Sequence, residues 1–113
     1  MDIEQLRDYI LQKPSVTEGF PFGEGTLVFK VKGKIFLLLS LDESPPTFNV
    51  KCYPDHAIEL REQYPDHVLP GYHMNKKHWN TVMVDGVLTK KQLFEMIDHS
   101  YTLVGGDGKK AKR

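Results

Sequence analysis

Two hydrophobic periods alternate along the chain, and each change of period marks an element boundary. Ile3, Leu6 and Ile10 fall on one helical stripe. Asp2 is a good N-cap with Gln5 as its capping-box partner, and Pro14 ends this first helix. Thr26–Val31 and Lys34–Leu41 then change to period two and face each other across Lys32-Gly33. Gly33 supplies the positive φ that a two-residue hairpin loop needs. Leu27, Phe29 and Val31 share one face, with Val28, Lys30 and Lys32 on the other. The run Ile35–Leu39 is apolar on both faces, which predicts a central strand. Thr47–Cys52 reads as a third strand with Phe48, Val50 and Cys52 inward.

Pro54 suits the first position of a second helix running to about Gln63, and Tyr64-Pro65 stops it. Val68–Met74 is extended and bent at Pro70-Gly71, and Trp79–Val84 is a further strand before the Asp85-Gly86 turn. Thr89 caps the last helix with Gln92 as its partner. Leu93, Met96, Ile97, Tyr101 and Val104 form its stripe, and Gly105-Gly106 ends it. Phe20-Pro21-Phe22-Gly23, between the first helix and the hairpin, reads as an aromatic connector whose rings plug the edge of the core. The order helix, three strands, helix, two strands, helix predicts an α+β fold, an antiparallel sheet with helices packed on one side. Residues 1–104 form the single domain, and residues 105–113 a flexible basic tail.

Composition narrows the functional classes. A chain of 113 residues with 40% hydrophobic and 27% charged residues can bury one real core. Cys52 is the single cysteine, so no intramolecular disulfide can form, and a lone thiol suits a reducing compartment. The start Met1-Asp2-Ile3-Glu4 lacks a signal-peptide layout, and no apolar run is long enough to span a bilayer, so a cytoplasmic protein with no membrane partner is expected. Fifteen basic and fifteen acidic residues cancel, which removes any global pull toward a polyanion. The charge is nonetheless uneven: net −3 over residues 1–26, +2 over 27–51, −3 over 52–69 and +4 over 70–113. A folded chain of zero net charge can therefore still present a basic face.

The most distinctive stretch is Tyr72-His73-Met74-Asn75-Lys76-Lys77-His78-Trp79-Asn80-Thr81-Val82-Met83-Val84-Asp85-Gly86, with Pro70 before it and Ser100-Tyr101 closing the last helix. This block resembles the MmcQ/YjbR family of small bacterial proteins. The upstream helix ending before Lys13-Pro14, the hairpin after an aromatic connector and Lys51 before the second helix match as well. The resemblance covers nearly the whole chain to about Val104. It implies a frataxin-like (CyaY-like) α+β fold and a double-wing DNA-binding motif, and it carries no catalytic residues.

Read from the residues themselves, Lys30, Lys32 and Lys34 on the first hairpin and Asn75, Lys76, Lys77 and His78 before the last strand make two candidate basic wings, with Trp79 or Tyr72 available to stack. Such a site would bind DNA weakly and with strong salt sensitivity. It contains no arginine, so bidentate guanine readout is not expected. The competing reading has the lysines solubilising a sheet edge, Trp79 and Tyr72 packing, and Asn75 capping a short turn. A second functional class is a protein- or small-ligand-interaction module using a pocket beside the Tyr72–Trp79 loop. His56, His67, His73, His78 and His99 lack metal-ligand spacing, so no metal or cofactor is expected. Cys52 reads as a buried thiol, and no nucleophile elbow, phosphate loop or dinucleotide fingerprint is present, so no enzyme is expected.

Overall fold

A computed structural model describes residues 2–72 and 74–105. Helix α1 (Ile3–Leu11) opens on the expected reciprocal cap: Asp2 Oδ1 accepts from Gln5 N at 2.8 Å, and Gln5 Oε1 accepts from Asp2 N at 3.1 Å. Strands β1 (Val16–Gly19), β2 (Thr26–Val31), β3 (Lys34–Ser40) and β4 (Thr47–Lys51) follow, then α2 (Pro54–Gln63), β5 (Val68–Pro70), β6 (Trp79–Met83) and α3 (Lys90–Gly105). Thr89 and Gln92 cap α3 reciprocally at 2.8 and 3.1 Å. The strands form one six-stranded antiparallel sheet in the order β1-β2-β3-β4-β6-β5.

All three helices contribute to a single core on one face of this sheet. Leu27, Phe29, Leu37, Leu39, Phe48, Val50, Val68 and Val82 face Leu6 and Ile10 of α1 and Leu93 and Ile97 of α3, with Leu60 of α2 packed against them. A bulge after Phe29 gives β3 one extra residue, so Phe36 and Leu37 are both fully buried. Ser100 anchors α3 there: its hydroxyl donates to Phe36 O at 2.6 Å and accepts from Lys51 N at 2.9 Å. Tyr9 stacks on Phe94 with ring centroids 3.6 Å apart and donates to Asp98 at 2.7 Å, which clamps α1 to α3.

The opposite face carries no described helix. The register sets cross-sheet rows there: Val28, Leu38, Asn49, Thr81 and Leu69 in the middle, and Lys51 beside Trp79 nearer one end.

Four expectations are corrected. The sheet has six strands rather than five, because Val16–Gly19 pairs with β2. One apolar residue in four gives no alternation to read, so this pairing is a tertiary choice, set up by the left-handed Ser15 (φ 63°) that turns the chain onto β2. With β1 occupying that edge, Phe20 and Phe22 do not plug the core and are 49% and 66% exposed. The strand expected over Val68–Met74 ends at Pro70, and just beyond it the chain turns, with Met74 N donating to Gly71 O at 3.2 Å. Gly105, assigned to the tail, is the last residue of α3 and packs on Val31, while the rest of the expected tail lies outside the described residues.

Candidate nucleic-acid interface

The register fixes which loops share an end of the sheet. Val31 pairs with Lys34, Val16 with Val31, Lys51 with Trp79 and Pro70 with Asn80. The α1–β1, β2–β3, β4–α2 and β5–β6 connections therefore lie together. They carry Lys13, Lys32, Lys76 and Lys77 and no Asp or Glu. The connections at the other end carry Glu24, Asp42, Glu43, Asp66 and Asp85 and no Lys or Arg. The adjoining first helical turns run against this split, with Asp55 at the basic end and Lys90 and Lys91 at the acidic one.

At the basic end the two proposed wings sit side by side. Neighbouring strands are about 4.8 Å apart, so two to three spacings put the β2–β3 tip about 10–15 Å from the start of β6. Lys32 adopts φ 53° and Gly33 φ 82° in the tip, the two positive φ values of a tight hairpin turn, and Lys32 and Lys34 are exposed. Lys30 is half-buried on the helix-free face. Among the described residues no salt bridge engages Lys30, Lys34, Lys51 or Lys77.

The second wing is a braced turn. Asn75 Oδ1 accepts from Lys77 N at 2.9 Å, and its carbonyl accepts from His78 N and Trp79 N at 3.1 and 3.0 Å. Gly71 N donates to Trp79 O at 2.8 Å, and a Cβ on Gly71 would stand 2.7 Å from Trp79 Cβ, so this close approach requires glycine. Arg61 of α2 reaches across to donate to Asn80 Oδ1 at 2.7 Å and to the carbonyls of Lys76 and Trp79. Lys76 Nζ donates to Gly71 O at 3.2 Å, while Lys77 is exposed. His78 and Trp79 are half-buried, and His78 O accepts from Cys52 N at 2.8 Å. Of the expected residues, Asn75 thus has a turn-capping role and Lys76 a partly structural one. His73 lies outside the described residues.

Lys51 was not among the candidate site residues, yet the ladder places it directly opposite Trp79, between the two wings. Only the β4–β6 pairing, which joins segments about thirty residues apart, could have found it. Tyr72 is 68% exposed, with its N–H donating to Thr81 Oγ1 at 2.9 Å over the helix-free face.

A pocket was expected beside the Tyr72–Trp79 loop, and Asn80, the residue after Trp79, lines a cleft. This cleft, of about 220 Å³, opens between α2 and α3 over β4 and β6. Cys52 lies in its wall, and burial pushes the thiol up to about 11. Among the described residues no three His, Cys, Asp or Glu side chains cluster as a metal site, and no helix is long and apolar enough to cross a membrane.

The YjbR family model matches residues 11–103. The chain belongs to the YjbR family. It is 38% identical over 101 residues to YbdF of Escherichia coli O157:H7, spanning 89% of this chain and 82% of that one. It is 34% identical to YjbR of Escherichia coli K12, over 89% of this chain and 85% of the other. Both relatives are uncharacterized proteins. The crystal structure of Deinococcus radiodurans DR2400 superposes with a TM-score of 0.89 at 38% identity, covering 95% of this chain and 80% of that one. A Pseudomonas syringae protein superposes with a TM-score of 0.76 at 26% identity, over 92% and 99% of the two chains. In this YjbR chain the distinctive block does structural work at Gly71, Asn75 and Asn80 and displays its charge at Lys77.

Proposed function

We propose that this YjbR-family protein is a non-enzymatic, cytoplasmic binding protein that docks the basic end of its sheet on the phosphate backbone of DNA. The observation that carries the reading is the shared end of the β2–β3 and β5–β6 loops, with Lys51 between them and no carboxylate in any connection there. A spacing of about 10–15 Å compares with a major groove about 12 Å wide, so the wings can straddle one groove and touch both backbones. Half-buried Trp79, beside Lys51 on the helix-free face, adds a stacking surface. In the same reading the helix-backed sheet is of the frataxin/CyaY type. The second reading, a protein-interaction surface, is favoured by the 68% exposure of Tyr72 on that face.

Fluorescence anisotropy of labelled duplex and single-stranded DNA, titrated at two salt concentrations, tests the proposal. Sequence-independent binding, with a dissociation constant on the order of 10⁻⁴–10⁻⁶ M that weakens as salt rises, is expected. Absence of salt-dependent binding at tens of micromolar protein would remove DNA as the ligand.

A further inference from the structure

The cleft between α2 and α3 lies over the helix-backed face of the sheet and takes no part in the basic end. We propose that it binds a small, uncharged aromatic ring bearing hydrogen-bond acceptors. Leu60, Val82 and Met96 give it an apolar wall, which rewards removing a flat ring from water. Two of the three amides around it are already committed, and the third, Gln63, is exposed. Gln92 accepts from Thr89 N and donates to the Tyr64 hydroxyl at 2.8 Å, and Asn80 is held between Arg61 and Ala57 O.

Two donors remain. The Tyr64 oxygen accepts from Gln92, which leaves its own proton to donate. His99 Nε2 accepts from Tyr53 N at 3.4 Å, so the ring proton sits on Nδ1. Burial, and then the neighbouring His56, holds His99 below the ordinary histidine range, so a neutral imidazole lines the cleft at neutral pH. The Lys51 side chain points to the other face of the sheet, beside Trp79, and Glu95 is exposed. An anionic ligand would lose hydration there without a counter-charge, whereas a neutral acceptor ring loses little and meets both donors.

Caffeine is a suitable probe: a soluble, uncharged bicyclic ring with acceptors and no N–H donor. A ligand of this size should bind with a dissociation constant on the order of 1 mM. Titrating it into ¹⁵N-labelled protein should shift the amides of Cys52, Leu60, Tyr64, Met96 and His99. Benzoate should bind at least about tenfold more weakly, because it brings a negative charge that the cleft does not answer. Tyr64→Phe keeps the ring and removes the donor, and should weaken caffeine by about 2- to 10-fold. Met96→Trp fills the space and should abolish the shifts, with spectral dispersion reporting that each variant is folded. No shifts at all, shifts confined to Tyr72 and Trp79 across the sheet, benzoate binding as well as caffeine, or folded variants that bind unchanged would each overturn the proposal. Because the readout is the location of the shifts, it succeeds or fails independently of DNA binding.

Discussion

Neutralising Lys34 and Lys77, one exposed lysine on each wing, gives the sharpest test of the basic end. Lys30, Lys34, Lys51 and Lys77 have no described carboxylate partner, and Lys76 is tied to Gly71 O, so about four phosphate contacts are available. Each contact contributes about 0.9 to the slope of log affinity against log salt, so the intact protein should show a slope of about −3.6. Raising salt from 50 to 200 mM should then weaken binding about 150-fold. The double variant Lys34→Gln/Lys77→Gln leaves about two contacts, a slope of about −1.8 and a loss of about 12-fold over the same range. Lys91→Gln, in the first turn of α3 at the acidic end, is the control and should keep the parent slope. Anisotropy at four or five salt concentrations measures all three slopes. A parent slope shallower than about −1, a double variant that matches the parent, or a control that falls as far as the double variant would each refute the placement of the site.

Other consequences concern how the site is held. Ser100→Ala strands Phe36 O and Lys51 N at a fully buried position and should lower stability by about 1–3 kcal/mol in urea unfolding; a loss under 0.5 kcal/mol would mean the anchor is immaterial. Arg61→Ala leaves Asn80 Oδ1 without its donor at a residue 1% exposed. It should cost about 1–3 kcal/mol and speed hydrogen exchange at Trp79 N, and unchanged exchange would show that the turn does not need Arg61. Alkaline pH should also weaken the fold. Burial pushes the Cys52 thiol from 9.0 up to about 11, and burial with the Asp98 hydrogen bond pushes Tyr9 from 10.0 up to about 12. Both groups hold their protons more tightly when folded, so their contribution is complete below pH 9 and is lost as pH rises from 9 toward 12. Urea midpoints at pH 8 and 10.5 should fall in the native protein and fall less in Cys52→Ala/Tyr9→Phe; equal falls would assign the effect elsewhere.

Elements that announce themselves locally were legible in the chain. Both reciprocal caps, the Lys32-Gly33 turn and the inward faces of β2 and β4 follow from spacing alone, and each is where its residues place it. What escaped depends on partners distant in sequence. β1 has too little alternation to read, and its ladder exists because β2 has an unpaired edge to offer. The exposure of Phe20 and Phe22 follows from that same strand. In the candidate site the wing lysines were visible, but Lys51 joins them only through its pairing with Trp79, and Lys76 looked equivalent to Lys77 until its contact with Gly71 was seen. The walls of the cleft were not legible for the same reason, since they come from two helices and two strands that no local pattern links.

Net charge was the strongest compositional argument against a polyanion partner, and the topology removes it. Antiparallel strands return the chain to the same two ends, so each connection belongs to one end or the other, and acidic and basic connections separate completely between them. A neutral chain is thereby polar along its strands, and a polyanion would meet it with the lysine-bearing loops first. Screening at physiological salt limits this field to about 8 Å, so what counts is the charge at the contacting end, where Asp55 and the Asp98 partner of Lys13 offset part of the lysines. In the proposed reading, the bracing of the turn by Arg61, Asn75 and Gly71 helps by another route. Lys77 sits on a turn whose order is settled before any ligand arrives, so less conformational entropy remains to be lost on contact.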